Sequence, residues 1–533
     1  MLGKTRGCNY QAKDLAMVMV NAYVSARSKG KLLSSQAIRE ILTPYVSTPT
    51  LLSDRFFSNV RSHAEQIAFG SVQEQGPMMV QVQEAVLEHG HKCRIHHITK
   101  DEFAQVLLDM RKATHRIAMK NVSKNHRVPF PGLSEFDRSM LDSIGSDEKV
   151  FYGWEFAPRW SIKMFPKLRK VFSTDGAHMQ TSLHGTLFGL WGIDADDRIV
   201  CLALALYYDN ESEYTWKKFM SFAKAIYSNL DKRSVYIIAD GEKGISLAIK
   251  SVLCFVNRFL CSEHEKKYLP ASDKNIYQQV IKAGTDAKLQ SLKRKLSPTT
   301  KKRWSIYEDK ELFPVSTKGS TYGRSASSLA ECGNASLQGV RKHGAALALL
   351  LFIEQDAERI SSRIQEMANH HDRITPHAGK KHLSMLKQQC STFPDPIVRI
   401  SRRSKCVTVV PRTKQNLTYV STLQGHDCSC GVPKMTRKPC WHEYVAARKS
   451  KHDTADLFGS CFSAHEWKHQ YEDLGTVKPI AFNEVRDRVK GNLKMPPVGK
   501  NPRGRPSELK RKKGQKDIFM EKYGSSPNKK QCL

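Results

Sequence analysis

The sequence predicts an α/β fold, and three observations carry that expectation. Between residues 171 and 264, apolar and β-branched runs of strand length alternate with windows of helical amphipathic period. Two aspartates stand where strands should end: Asp175 after Val171-Phe172-Ser173-Thr174, and Asp240 after Val235-Tyr236-Ile237-Ile238-Ala239. A carboxylate at the mouth of a buried strand is costly unless water, a partner or a cation meets it. Two of them on one sheet point to a shared cation. The third observation is order: strands at about 170–175, 184–193 and 198–208, a helix at 211–230, a strand at 234–239, a helix at 241–253 and a short strand at 255–260.

Length and charge set the surroundings of this unit. With 533 residues, two to four domains are expected. Lys and Arg number 85 against 52 Asp and Glu, a formal charge of +33, which favours a polyanionic partner such as nucleic acid. The N-terminal stretch has no sustained apolar core, and the longest aliphatic run, residues 345–353, is too short to span a bilayer. No membrane association is expected. The 13 cysteines are therefore read as reduced thiols or metal ligands, in an intracellular and specifically nuclear setting.

Taken in order, residues 1–120 are expected to form a mainly helical, DNA-binding region. Helical windows fall at 12–28, 36–46 and 51–69, with Arg55, Arg61 and His63 on the third. Residues 78–86 and 93–98 read as strands and 100–119 as a helix. Residues 121–164, with Pro129 and Pro131, read as a linker and a lead-in strand. The α/β core is placed at 165–365, with a Lys-rich helical insertion at about 265–320 and one long helix at 327–360 carrying Glu331 near its start. A helical connector is expected at 366–404.

Three meandering strands followed by a crossover is the order of the ribonuclease H-like fold. The residues around it resemble the Mutator-like (MULE) transposases. The matching pieces are Asp175-Gly176-Ala177-His178, His184-Gly185-Thr186-Leu187-Phe188, Leu202-Ala203-Leu204-Ala205, Glu211-Ser212-Glu213 before Trp216, Asp240-Gly241, and Cys261 with His264. Trp304, Tyr322-Gly323 and Ala330-Glu331 with Asn334 continue the likeness. On its own, a glutamate in a first helical turn only offsets the helix dipole. The resemblance implies instead that Asp175, Asp240 and Glu331 are a DDE triad.

Carboxylates that converge repel one another unless a divalent ion neutralises them. Oxygen-only ligands suit Mg²⁺ or Mn²⁺. Two such ions about 3.5–4 Å apart suit in-line displacement at phosphorus. The expected function is cleavage at DNA element ends and strand transfer into target DNA, by a homo-oligomer assembled on DNA. The alternative is a zinc-containing DNA-binding transcriptional regulator of the same descent, without catalysis. Asp194, Asp196 and Asp197 read as hairpin-turn residues. Glu211 and Glu213 read as the opening of the crossover helix, and His178 and His184 as structural. By the resemblance, Cys261 and His264 are a structural pair near the active site and possible metal ligands.

Residues 405–455 read as a hairpin followed by Cys428-Ser429-Cys430, nine residues, then Cys440-Trp441-His442. Three Cys and one His make the closed tetrahedral shell of structural Zn²⁺, whose binding supplies folding energy. The pattern resembles the SWIM zinc finger. Cys406 and Cys461 fall outside it and are expected to be buried thiols. Residues 456–533 are expected to be a basic, largely disordered tail. There Pro502-Arg503-Gly504-Arg505-Pro506 resembles an AT-hook, laying Arg503 and Arg505 in an A·T minor groove. Lys510, Arg511, Lys512 and Lys513 are expected to touch phosphates and to serve nuclear import.

Overall fold

The apolar runs of residues 171–260 become the centre of a seven-stranded sheet. A computed structural model of the chain describes residues 38, 40, 75–480 and 485, except 120–128, 147–148, 182–184, 242, 327, 393–395, 402–405, 412–417 and 424–426. The strands are β1 (Lys92–Ile98), β2 (Val150–Ala157), β3 (Val171–His178), β4 (Thr186–Ile193), β5 (Ile199–Tyr207), β6 (Tyr236–Ala239) and β7 (Asn257–Leu260). They lie in the order β1-β2-β5-β4-β3-β6-β7. β3, β4 and β5 meander antiparallel, whereas β3, β6 and β7 run parallel. Parallel neighbours need crossovers, and the helices Glu213–Ile226 and Lys243–Val252 supply them.

Every residue of β4 is buried. That explains why the run is continuously apolar rather than alternating: both faces of the central strands are covered. On one side lies the helix Ala345–Ala368, whose Ala345 carbonyl accepts from the Trp154 indole at 3.1 Å. Among the described residues no helix is long and apolar enough to cross a membrane.

Several expectations are corrected. Residues 78–86 are not a strand but part of the helix Gln75–Glu88. The buried positions Met79, Val82 and Val86 fall at helical spacing, which outweighs the short alternation around Val80. The linker contains a capped helix, Glu135–Asp142, in which Ser134 and Asp137 form a reciprocal capping box. The single helix expected at 327–360 is two, Ser328–Ser336 and Ala345–Ala368, with Gly344 as the cap of the second. The insertion holds the helices Ala271–Ile281, Asp286–Arg294, Pro298–Trp304 and Asp309–Leu312, and Leu269, Tyr277, Leu289, Trp304 and Phe313 give it a small core of its own.

The segment that opens the expected disordered tail is folded. Residues 464–471 form a helix, Trp467 is fully buried, and Leu474 and Ile480 join the main core. The connector is helical at first but ends in a strand. That strand, β8 (Ile397–Ser401), joins β9 (Cys406–Val410), β10 (Tyr419–Thr422) and β11 (Asp427–Cys428) in a second sheet of order β11-β10-β9-β8. Apart from Ile38 and Glu40, which are helical, the N-terminal windows with Arg55, Arg61 and His63 lie outside the described residues, as do Arg503, Arg505, Lys510, Arg511, Lys512 and Lys513.

Candidate functional site

Strand register alone brings two carboxylates together. β3 and β6 are parallel, with Val171 opposite Tyr236 and Ser173 opposite Ile238. Continuing that register by two residues sets Asp175 beside Asp240, where the strand β6 has just ended. Glu331 arrives from the first turn of the helix Ser328–Ser336, which packs on β3 and β4. That close packing depends on Gly333. A Cβ there would lie 2.3 Å from the Trp191 indole, so any larger residue pushes the helix off the sheet.

One residue further on, Asn334 donates Nδ2–H to Asp175 Oδ2 at 3.1 Å and fixes that carboxyl. Asp240 Oδ1 accepts from the Gly241 amide at 2.6 Å. His264 Nε2 stands 3.9 Å from Asp240 Oδ2, and both side chains are 18% exposed. Cys261, His264 and Glu331 each place one ligand atom within 4.8 Å of the other two. Burial is the main reason that Asp175 is pushed up to about 6; Asp240 and Glu331 push the same way, while His264 and the Gly176 amide oppose them. An exposed Glu331 and half-buried aspartates leave the cluster open on one side. Asp175 feels the charges of both Asp240 and Glu331, and carboxylates placed in this way could hold a hard divalent cation.

The second candidate is local in the chain. Cys428 ends the two-residue strand β11, Cys430 follows a tight turn, and Cys440 caps the helix Trp441–Lys449, whose second residue is His442. The four ligand atoms lie within 4.8 Å of one another. His442 Nδ1 is 3.8 Å from Cys428 Sγ and 3.6 Å from Cys440 Sγ. Sulfurs this close cannot titrate independently. Contact with Cys430 pushes the Cys428 thiol up, and Cys440 is pushed up too, while hydrogen bonds from both hold Cys430 down. A donor set of this kind could bind zinc. Tyr419 stacks on His442 at 3.7 Å, and the Glu443 amide approaches Cys440 Sγ at 3.4 Å. Gly431, with φ at +75°, lets the knuckle press on the insertion: a Cβ there would stand 1.7 Å from the Gly284 carbonyl oxygen.

The turn aspartates do more than turn. They do lie between β4 and β5, but each is buried or nearly so and holds a distant segment. Asp194 accepts from the Tyr471 hydroxyl at 2.7 Å, and Asp196 from the His377 amide at 2.7 Å. Asp197 meets Arg169 at 2.6 Å, Arg324 at 3.1 Å and His377 at 3.1 Å, and also Lys438 from the knuckle. Burial would raise its carboxyl, but Arg169, Arg324 and Lys438 hold it far below the usual carboxylate range. Nothing local to residues 194–198 announces these partners, so only their strongly basic company in the fold reveals the role.

The remaining expectations are met in part. The crossover helix starts at Glu213, which pairs with Lys217, whereas Glu211 precedes it and accepts from the Trp216 indole at 3.0 Å. His178 lies exposed at the end of β3, and His184 is outside the described residues. Cys406 and Cys461 are half-buried rather than buried.

Residues 171–268 match the family model of the MULE transposase domain. The match takes in Asp175, Asp240, Cys261 and His264 but stops before Glu331. Comparison with curated proteins yields no match.

Proposed function

We propose, from the premise that residues 171–268 are a MULE transposase domain, that the chain is a DDE-type DNA transposase. It would nick DNA at element ends and join those ends to target DNA. The observation that carries this reading is the meeting of Asp175 and Asp240, set side by side by strand register, with Glu331 on a helix packed across the same strands. The strand order β5-β4-β3-β6-β7, with β4 antiparallel to its neighbours, supports assigning the core to the ribonuclease H-like class.

Asp175, Asp240 and Glu331 would hold Mg²⁺ or Mn²⁺, which when bound activates an attacking oxygen and steadies the leaving one at phosphorus. The protein's own work is positional. Asn334 orients Asp175, the Gly241 amide orients Asp240, and Gly333 keeps the Glu331 helix against the sheet. The open side leaves room for a phosphodiester, and a charge of +33 favours its approach. Zn²⁺ would sit on Cys428, Cys430, Cys440 and His442 in a SWIM-type finger. The AT-hook-like tail would add minor-groove contacts, in a nuclear, DNA-assembled homo-oligomer.

The test is strand cleavage of DNA carrying the terminal repeats that flank the gene. Cleavage should require Mg²⁺ or Mn²⁺ and fall by about 10³-fold in Asp175→Asn, Asp240→Asn and Glu331→Gln. A wild type that binds this DNA and never cuts it would sink the enzyme and leave a DNA-binding regulator.

A further inference from the structure

We propose that Cys261, His264 and Glu331 form a second zinc site, one that borrows its carboxylate from the cluster around Asp175. Cys261 directly follows β7 and caps the helix Ser262–Tyr268, with His264 in that helix's first turn. The cap and the first turn therefore present a thiol and an imidazole to the same cleft. Each of the three residues has a ligand atom within 4.8 Å of the others. Ligands on tetrahedral zinc stand about 3.3–3.8 Å apart, as Zn–S near 2.3 Å and Zn–N near 2.0 Å require. The exposed Glu331 carboxylate can close that gap by a side-chain rotation.

The imidazole supplies a separate observation. Its Nε2 faces Asp240, but its Nδ1 is buried and meets no hydrogen-bond partner. A buried ring nitrogen left alone is expensive. Zinc on Nδ1 would satisfy it, and Asp240 would then face the opposite ring nitrogen, the arrangement by which carboxylates orient metal-bound histidines. The helix cannot swing away to relieve the orphan. Its Glu265 holds Arg303 through two bonds of 2.6 and 2.8 Å and the Trp304 indole at 2.9 Å.

A thiolate and an imidazole select zinc over magnesium. A Glu331 carboxylate turned onto Cys261 and His264 is drawn away from the shell it would complete beside Asp175 and Asp240. Zinc here therefore withdraws the third carboxylate from Asp175 and Asp240 and antagonises magnesium-dependent cleavage. That consequence rests on the transposase reading, whereas zinc binding does not.

Zinc content of the purified full-length chain separates the two. Wild type should carry two zinc ions, Cys261→Ser and Cys428→Ser one each, and the double variant none. Cobalt in the Cys428→Ser chain should give a thiolate-to-metal charge-transfer band that His264→Asn abolishes. Circular dichroism matching the wild type would show that each variant is folded. A single zinc in wild type that Cys261→Ser leaves in place overturns the site, as does a cobalt-loaded Cys428→Ser chain without the band. In the cleavage reaction, Cys261→Ser should need about tenfold more zinc for half inhibition. Two zinc ions with zinc-insensitive cleavage would overturn the sharing of Glu331. A chain that never cleaves would sink the transposase reading, while its zinc count still decides the site.

Discussion

The two ligand clusters are built in opposite ways. Cys428, Cys430, Cys440 and His442 fall within one short stretch, and a two-residue strand, a turn and a helix cap are enough to gather them. Asp175, Asp240 and Glu331 come from two strands and a helix far apart in the chain, and only the assembled sheet makes them neighbours. The first cluster is closed and mostly buried; the second is open, with Glu331 exposed. A site gathered locally depends on its metal to hold shape. A site gathered by the fold is held by the core and would leave any cation bound there open to solvent.

That contrast can be tested from its largest consequence down. Structural zinc at such knuckles binds with about 10–16 kcal/mol of apparent free energy. Cys428→Ser or chelation should therefore melt residues 427–449 to protease while the seven-stranded sheet keeps its protection from hydrogen exchange. Simultaneous loss of both regions would show that the knuckle has no independence. Asp197→Ala should be next, because it strands Arg169 and Lys438 in a buried setting. A cost of about 3–5 kcal/mol in denaturant unfolding is expected, weakening both regions together.

Two glycines then separate the regions. Gly431→Ala should cost about 1–3 kcal/mol and loosen the knuckle from Gly284, read as new proteolysis near residues 282–285 with cleavage activity little changed. Gly333→Ala should do the reverse, lowering DNA cleavage by about 10²-fold through displacement of the Glu331 helix while the zinc that depends on Cys428 is retained. Smallest is Asn334→Ala, which removes one hydrogen bond to Asp175. A drop of about tenfold in cleavage is expected, with thermal stability nearly unchanged.

What could be read without coordinates follows the same division. The cluster of Cys428, Cys430, Cys440 and His442 was readable because its spacing is local, and the five central strands because buried parallel and meandering runs are largely apolar. Asp240 was readable because it directly follows such a run, whereas Asp175, expected at a strand end, lies inside β3 with Gly189 opposite it. Glu331 needed the resemblance, since a first-turn glutamate is otherwise unremarked. The resemblance takes in Asn334 but implies no role for it, and its bond to Asp175 is a fact of the fold. The helix Gln75–Glu88 was missed because its short apolar run satisfies both the two-residue and the helical period. The clamp at Asp197 was invisible because its partners lie at residues 169, 324, 377 and 438.

The matched stretch ends well short of the sheet it belongs to. β5, inside residues 171–268, pairs on its outer side with β2, which lies before the match. Excising the matched residues as a fragment would bare the long hydrogen-bonding rim of an almost entirely apolar strand. Such a rim recruits another copy of itself. A fragment trimmed to those limits should therefore precipitate or form inclusion bodies, and one begun before Gln75, so that β1 still covers β2, and carried past Ile480 should stay in solution.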